Sequence, residues 1–423
     1  MLRVIALASL VALTGCHRQA GAPSDAPSKF QVEPGDGRVT VSWDQQPGLT
    51  YWIFFQAGGT VTAAAPGVPL IFDAQSPRIV FPLANGTQYA FVMNATNQDS
   101  RAGPSTPVVL ALPRLAGASW DISGSPLGGS VQNLNGVAYG PATNRIVAVG
   151  NLAPGTPPTP TIFVGDFNYT NVSPPGVTAW TQATSIPNGV GDLSAVIAAG
   201  SLFIALGTDG SILTSPDGNT WTAATSVPSG GMNSIAFGIV SGAVVYVAVG
   251  NSGKIFTSAD NLVTWSTVST TGSDLYNVSF PNGSFVATGA SGTLLTSTDA
   301  SIWTPQISKT PNALRGATYG TGSAAGASAN YVVVGDSGTI VTSTDLTTWN
   351  VITPAPPLTQ NLRAIRFGTR FVAVGQGGLV AYSDDAFNWL TTSSGSASDL
   401  AAVIFTPGMY LAVGATGANA VSK

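Results

Sequence analysis

Few groups in this 423-residue chain could do chemistry. The one histidine, His17, and the one cysteine, Cys16, stand side by side near the start, and the single glutamate is Glu33. Residues 34–423 therefore hold no imidazole base, no thiolate and no glutamate acid. A Ser-His-Asp triad or a His-ligated zinc site in that region is excluded. Aspartates remain, and two carboxylates can act as the acid and base of glycoside hydrolysis, but no pair is singled out by spacing. Arginine, tyrosine and asparagine point instead to recognition. A guanidinium can grip a carboxylate through two parallel hydrogen bonds, and the residues placed to do so are Arg315, Arg363 and Arg366, with Tyr276, Asn135 and Asn233 around them.

These residues belong to a repeat of about 40 residues, the spacing of stacked structural units. Glycines recur at Gly150, Gly207, Gly250, Gly289, Gly335, Gly375 and Gly414, and tryptophans at Trp120, Trp180, Trp221, Trp265, Trp303, Trp349 and Trp389. Runs such as YVAVG, FVATG, YVVVG and FVAVG are too short and too β-branched for helices. A Gly-x-x-Gly turn follows them (Gly207 with Gly210, Gly250 with Gly253, Gly289 with Gly292, Gly335 with Gly338, Gly375 with Gly378, Gly414 with Gly417), and glycine there is expected to relieve a positive φ. The strands are apolar on both faces, as in sheets packed between sheets. An all-β fold is predicted, with a seven-bladed β-propeller over residues 114–423 and four strands in each blade. Trp120 precedes the first glycine and no tryptophan follows Gly414. The segment GASWDIS is thus expected to supply the outer strand of the last blade, an N-/C-terminal strand closure that removes free edges.

The turn between the third and fourth strands reads Ser215-Pro-Asp217 to Trp221, Ser258-Ala-Asp260 to Trp265, Ser297-Thr-Asp299 to Trp303, Ser343-Thr-Asp345 to Trp349 and Ser383-Asp-Asp385 to Trp389. From about Trp120 onward the chain resembles the Asp-box, or BNR, propellers: sialidases and photosystem assembly-factor-like proteins. Only the copy at Ser258 has the family spacing; the others are one residue shorter. The resemblance implies structural turns on the face away from the ligand, with Asp217, Asp260, Asp299, Asp345 and Asp385 capping their own turns and the tryptophans packed between blades. Sialidase activity is not implied. The glutamate-assisted tyrosine nucleophile, the arginine clamp and a FRIP-like segment are all missing.

The residue after the leucine or methionine opening each inner strand varies: Asn135, Ser194, Asn233, Tyr276, Arg315, Arg363 and Ala401. Inner strands start on the ligand face, so these residues should encircle the mouth of the central channel, with Arg366 deeper. Arg315 and Arg363 could hold a carboxylate or an acidic peptide; the bland alternative is a solvated rim. Asp209, Asp336 and Gln376 in the Gly-x-x-Gly turns read as turn formers. After Gly150 a Pro-rich stretch through Trp180 replaces the short turn, an insertion expected on the same rim.

Residues 1–15 read as a signal peptide, since the apolar run Val4 to Leu13 is too short to span a bilayer. Leu13-Thr14-Gly15-Cys16 resembles a bacterial lipobox. It implies cleavage before Cys16 and a diacylglycerol thioether there, and His17 after it, rather than Asp, implies the outer membrane. Residues 16–27 form a flexible tether rich in Pro, Ala, Ser and Gly. Residues 28–113 resemble fibronectin type III, with Trp43 as the strand-B tryptophan, Leu83, Gly86-Thr87, Tyr89 as the tyrosine corner, and Gly103-Pro104-Ser105. That resemblance implies a β-sandwich spacer.

Charged residues make up 8% of the chain and the net charge is −4, so no basic stripe exists to neutralise nucleic-acid phosphates. No uninterrupted apolar span of about 20 residues follows the signal. The reading that results is a lipid-anchored cell-envelope protein, monomeric, with no cofactor, no metal and no catalytic residue. It acts as a non-catalytic binding or scaffold module for an envelope protein or glycan through the channel mouth. The alternative is a glycan-acting hydrolase or lyase that uses aspartates.

Overall fold

A computed structural model describes residues 21–97, 101–122, 132–155, 158–168, 176–227, 229–270 and 272–422. The signal peptide, Cys16 and His17 lie outside the described residues. Backbone contacts divide the chain into two compact units. One comprises residues up to Glu33, Val41–Arg78 and Thr87–Leu112, and the other Pro34–Thr40, Ile79–Gly86 and the chain from Pro113 onward.

In the smaller unit the strands Leu70–Ile71, Thr50–Ala57, Tyr89–Thr96 and Val109–Ala111 form one antiparallel sheet in that order. The register sets Tyr51 against Ala95 and Ile53 against Met93, all four buried. Trp43 is buried and lies 5.3 Å from the Tyr51 ring. A further three-stranded sheet, not confined to this unit, pairs Gln31–Gly35, Arg38–Ser42 and Arg78–Val80.

The larger unit is a β-propeller. Its described residues form seven four-stranded antiparallel sheets. The sixth shows the plan: Leu362–Phe367, Phe371–Gly375, Leu379–Ser383 and Leu390–Ser393, each paired with the next. The inner strands of the seven sheets are Leu134–Gly140, Leu193–Ala199, Met232–Val240, Leu275–Ser279, Leu314–Thr321, Leu362–Phe367 and Leu400–Thr406. Each packs on the next and the last packs on the first, so they run round in a ring. In the seventh sheet Leu400–Thr406, Met409–Gly414 and Asn419–Ser422 are completed by Trp120–Ile122, with Trp120 opposite Ser422 and Ile122 opposite Ala420.

The apolar strands have partners on both faces. Val332, Val334 and Ile340 of the fifth sheet share a cluster with Leu362, Phe371 and Trp389 of the sixth. Val286 and Leu294 of the fourth share one with Leu314, Val333 and Trp349 of the fifth. Each fully buried aliphatic or aromatic side chain contributes about 1.5–3 kcal/mol. The box tryptophans Trp221, Trp349 and Trp389 are buried and sit between consecutive sheets; Trp265 and Trp303 pack at the margins of such clusters.

The Gly-x-x-Gly turns correct one expectation. Gly250, Gly289, Gly335, Gly375 and Gly414 are extended, not left-handed. They are glycine because another backbone passes where a side chain would stand: a Cβ on Gly375 would lie 2.0 Å from the Asn361 carbonyl oxygen. Positive φ falls on the last two turn residues, such as Ser252 (60°) and Gly253 (68°), as in the type I′ turns favoured in tight hairpins.

The Pro-rich stretch of the first sheet also differs from the expectation. Most of it is not an insertion, because it supplies the third strand, Thr159–Asn168, and the fourth, Gly176–Gln182. The excess is a longer hairpin, in which the second strand runs past Gly150 to Ala153 and pairs with Thr159. Residues 156–157 and 169–175 lie outside the described residues.

Candidate functional site

The residue after each opening Leu or Met is more than variable. In all seven sheets the ladder skips it: Leu134 and Gly136, Leu193 and Ala195, Met232 and Ser234, Leu275 and Asn277, Leu314 and Gly316, Leu362 and Ala364, and Leu400 and Ala402 are paired, and the residue between is bulged. A β-bulge leaves one residue unpaired and re-aims its side chain. Asn135, Ser194, Asn233, Tyr276, Arg315, Arg363 and Ala401 all line one cavity of about 620 Å³ at the centre of the ring, and Arg366 lines it too. The close approach at glycines such as Gly375 and the bulge opposite are two sides of one distortion.

Most polar groups at this mouth are engaged. Asn135 donates through Nδ2 to Asn151 Oδ1 (2.7 Å) and to the Leu193 carbonyl of the next sheet (2.8 Å). Asn233 repeats this with Asn251 Oδ1 and the Leu275 carbonyl, both at 2.8 Å. Ser194 donates to the Leu206 carbonyl. Arg315 donates from Nε to Asp336 Oδ1 (2.6 Å) and from Nη2 to Oδ2 (2.8 Å), a bidentate pair that holds its pKa above the ordinary guanidinium value. Arg315 also lies over the Tyr276 ring, 4.7 Å from its centroid. Arg363 donates from Nη2 to Asp399 Oδ2 at 2.8 Å, while its Nε is buried with no hydrogen-bond partner.

Asp336 is therefore the counter-ion of Arg315, not simply a turn former. Asp209 does shape its turn: burial alone would raise its pKa, but hydrogen bonds from Ser211 and Gly191 outweigh that and lower it. Gln376 accepts from the Asn361 amide.

Among the described residues that line the cavity, three side chains make no hydrogen bond: those of Tyr276, Asn277 and Arg366. Arg366 has neither an ion pair nor a hydrogen bond. Its side chain meets the water of the channel, yet protein surrounds it closely enough that desolvation pushes its pKa below the ordinary guanidinium value.

Sequence reasoning missed a further set of rim residues. Each precedes an opening leucine and accepts a backbone N–H from the end of the second strand or the turn after it in the preceding sheet. Asp192 Oδ1 takes Leu152 N (2.6 Å), Asp274 Oδ1 takes Ser252 N (2.8 Å), Asn361 Oδ1 takes Ser337 N (2.9 Å) and Asp399 Oδ1 takes Gly377 N (2.9 Å). Asn133 Oδ1 takes Thr416 N (3.1 Å) and so joins the seventh sheet to the first. The recurrence of Asn or Asp at that position was the available signal.

The box aspartates are saturated by their own turns. Asp385 Oδ1 accepts from Phe387 N (2.8 Å) and Asn388 N (2.7 Å), and Ser383 Oγ accepts from Ala386 N (2.9 Å). The longer turn at Ser258 shifts the pattern by one residue, to Leu262 N and Thr264 N. Its Trp265 then donates to the Thr225 carbonyl, whereas Trp221, Trp303, Trp349 and Trp389 each donate within their own turn. Hydrogen bonds from the turn lower the pKa of Asp260, to about 2, and those of Asp299 and Asp345. In Asp217 and Asp385 burial acts upward but the same bonds prevail. Carboxylates held this low are poor proton donors near neutral pH. None of them lines the cavity, whose charged lining residues are Arg315, Arg363 and Arg366.

The chain matches no protein-family profile and no curated protein. Solved structures do share its fold. YCF48 bound to D1 peptide is 17% identical with a TM-score of 0.54, covering 72% of this chain and 96% of that one. YCF48 from Cyanidioschyzon merolae is 17% identical with a TM-score of 0.51, covering 72% and 98%. The WD40 β-propeller domain of Doa1 is 12% identical with a TM-score of 0.54, covering 72% and 96%. At these identities the likeness is one of fold, and it supports the β-propeller.

Proposed function

We propose that this protein is a non-catalytic recognition or scaffold module that docks a protein segment on the channel-mouth face of its propeller. The observation that carries this reading is the ring of bulged residues, one from every sheet, converging on a cavity whose charged lining is cationic. Bulges that re-aim side chains toward one opening suit a binding face. A solved propeller of like fold carries a bound peptide, D1, which supports the same use of the architecture here. The seven sheets are read as the blades of one seven-bladed propeller, closed by the pairing of Trp120–Ile122 with Asn419–Ser422. The three-stranded sheet of Gln31–Gly35, Arg38–Ser42 and Arg78–Val80, and the four-stranded sheet in the order Leu70–Ile71, Thr50–Ala57, Tyr89–Thr96 and Val109–Ala111, support a fibronectin type III spacer. With a lipid on Cys16, the whole would be held at the cell envelope, outer membrane by preference.

The experiment is site-specific photocrosslinking in the native envelope. A benzoylphenylalanine at Tyr276, on the mouth, is compared with one at Ile307, an exposed residue that does not line the cavity. A discrete adduct from position 276 and not from 307 supports the reading and identifies the partner. Adducts only from 307, or from neither, defeat it. A Cys16→Ser variant that kept its membrane retention would remove the lipoprotein part.

A further inference from the structure

We propose that the channel below the mouth binds one aliphatic monocarboxylate, its carboxylate on the guanidinium of Arg366 and its hydrocarbon chain along the lumen wall. This goes beyond the docking of a protein at the mouth and does not depend on it.

Charge is the first support. Three arginines line the cavity, but Arg315 is neutralised by Asp336 and Arg363 by Asp399. Arg366 alone has no acid. A guanidinium that faces the channel with no counter-charge leaves its donors open to a bound anion. A single free cation matches a single carboxylate; a dicarboxylate would bring in a second charge with no partner.

The wall is the second. At the positions that match Arg366 in other inner strands, the cavity is lined by Ile197, Ala236, Ser279 and Ile404. The Ser279 hydroxyl is already spent on the Ala317 carbonyl. An extended peptide would bring one N–H and one C=O per residue past a wall whose one uncommitted side-chain amide is that of Asn277. A hydrocarbon chain brings neither and gains by leaving water. A cavity of about 620 Å³ is in the range that holds one small ligand.

The test is titration calorimetry on the mature protein with octanoate, octanol, acetate, octanedioate and the tripeptide Ala-Ala-Leu, in wild type and Arg366→Gln. Octanoate should bind the wild type, and at least tenfold more weakly the variant; the other four probes should bind at least tenfold more weakly than octanoate. No heat with octanoate, or equal affinity in Arg366→Gln, overturns the proposal. So does octanol, acetate, octanedioate or the tripeptide binding as tightly as octanoate. Thermal melting guards against a folding artefact, since Arg366→Gln should melt at or above the wild-type temperature. A lower melting temperature would mean that Arg366 already has a partner, and the site would be withdrawn.

Discussion

Arg363 and Asp399 tie the sixth sheet to the seventh on the mouth rim. Arg363 Nη2 donates to Asp399 Oδ2 at 2.8 Å, and Asp399 Oδ1 accepts the Gly377 amide at 2.9 Å, so one carboxylate serves two contacts on the neighbouring sheet. Both side chains are 36% exposed, and solvent screens the pair. Asp399→Ala should therefore destabilise the fold by only about 1 kcal/mol. In a double-mutant cycle with Arg363→Ala the coupling should be about 0.5–1 kcal/mol and shrink with added salt. Denaturant midpoints of the four proteins measure it; a coupling near zero would reduce the pair to coincidence.

Stability should fall in acid. Asp209, Asp217, Asp260, Asp299, Asp345, Asp385 and Asp399 all have pKa values lowered by folding. As pH drops, the unfolded chain, whose aspartates titrate near 3.9, takes up protons first. The contribution of these groups is thus complete above about pH 5 and is lost as the pH falls through about 4 toward the folded values, the Asp260 value being about 2. Melting temperature should be level from about pH 7 to 5 and decline below about 4. A decline that began above pH 6 would point to other groups.

Two glycines in one turn should respond differently to alanine. A Cβ at Gly375 would meet the Asn361 carbonyl oxygen at 2.0 Å, whereas Gly377, with φ of 65°, has open space around it. Gly375→Ala should cost about 3 kcal/mol from overpacking, and Gly377→Ala about 1 kcal/mol from the left-handed backbone alone. Urea denaturation of both variants would reveal equal effects if the bulge could relax.

Removing an unpartnered charge should help the fold. Arg366→Leu is expected to raise stability slightly, because no ion pair or hydrogen bond is lost and an unpaired charge is removed from the channel wall. The denaturant midpoint should rise, with an unchanged slope.

Much of the fold was legible because each repeat carries its own instructions. The period of glycines and tryptophans located the sheets, and apolar runs such as FVAVG (Phe371–Gly375) announced strands covered on both sides. The position after each opening leucine was legible as a series. Its bulged geometry was not, because a bulge is defined by the partner strand. The pairing of Arg315 with Asp336 escaped because Asp336 also satisfies the rules for a turn residue. The latches from Asp192, Asp274 and Asp399 escaped for a related reason: each partner belongs to the preceding repeat, and an alignment of repeats compares units without showing how they touch. In the first sheet, the lack of a box motif before Trp180 hid two strands inside a Pro-rich stretch.

The pairing of Trp120–Ile122 with Asn419–Ser422 has a mechanical consequence. Trp120 faces Ser422 and Ile122 faces Ala420, so the chain entering at Trp120 and the chain leaving at Ser422 lie at the same end of the joint. Tension between those two points loads the rungs one after another, as in a zipper, rather than all together in shear. Under load the ring should therefore part at this seam, with the other six sheets still folded.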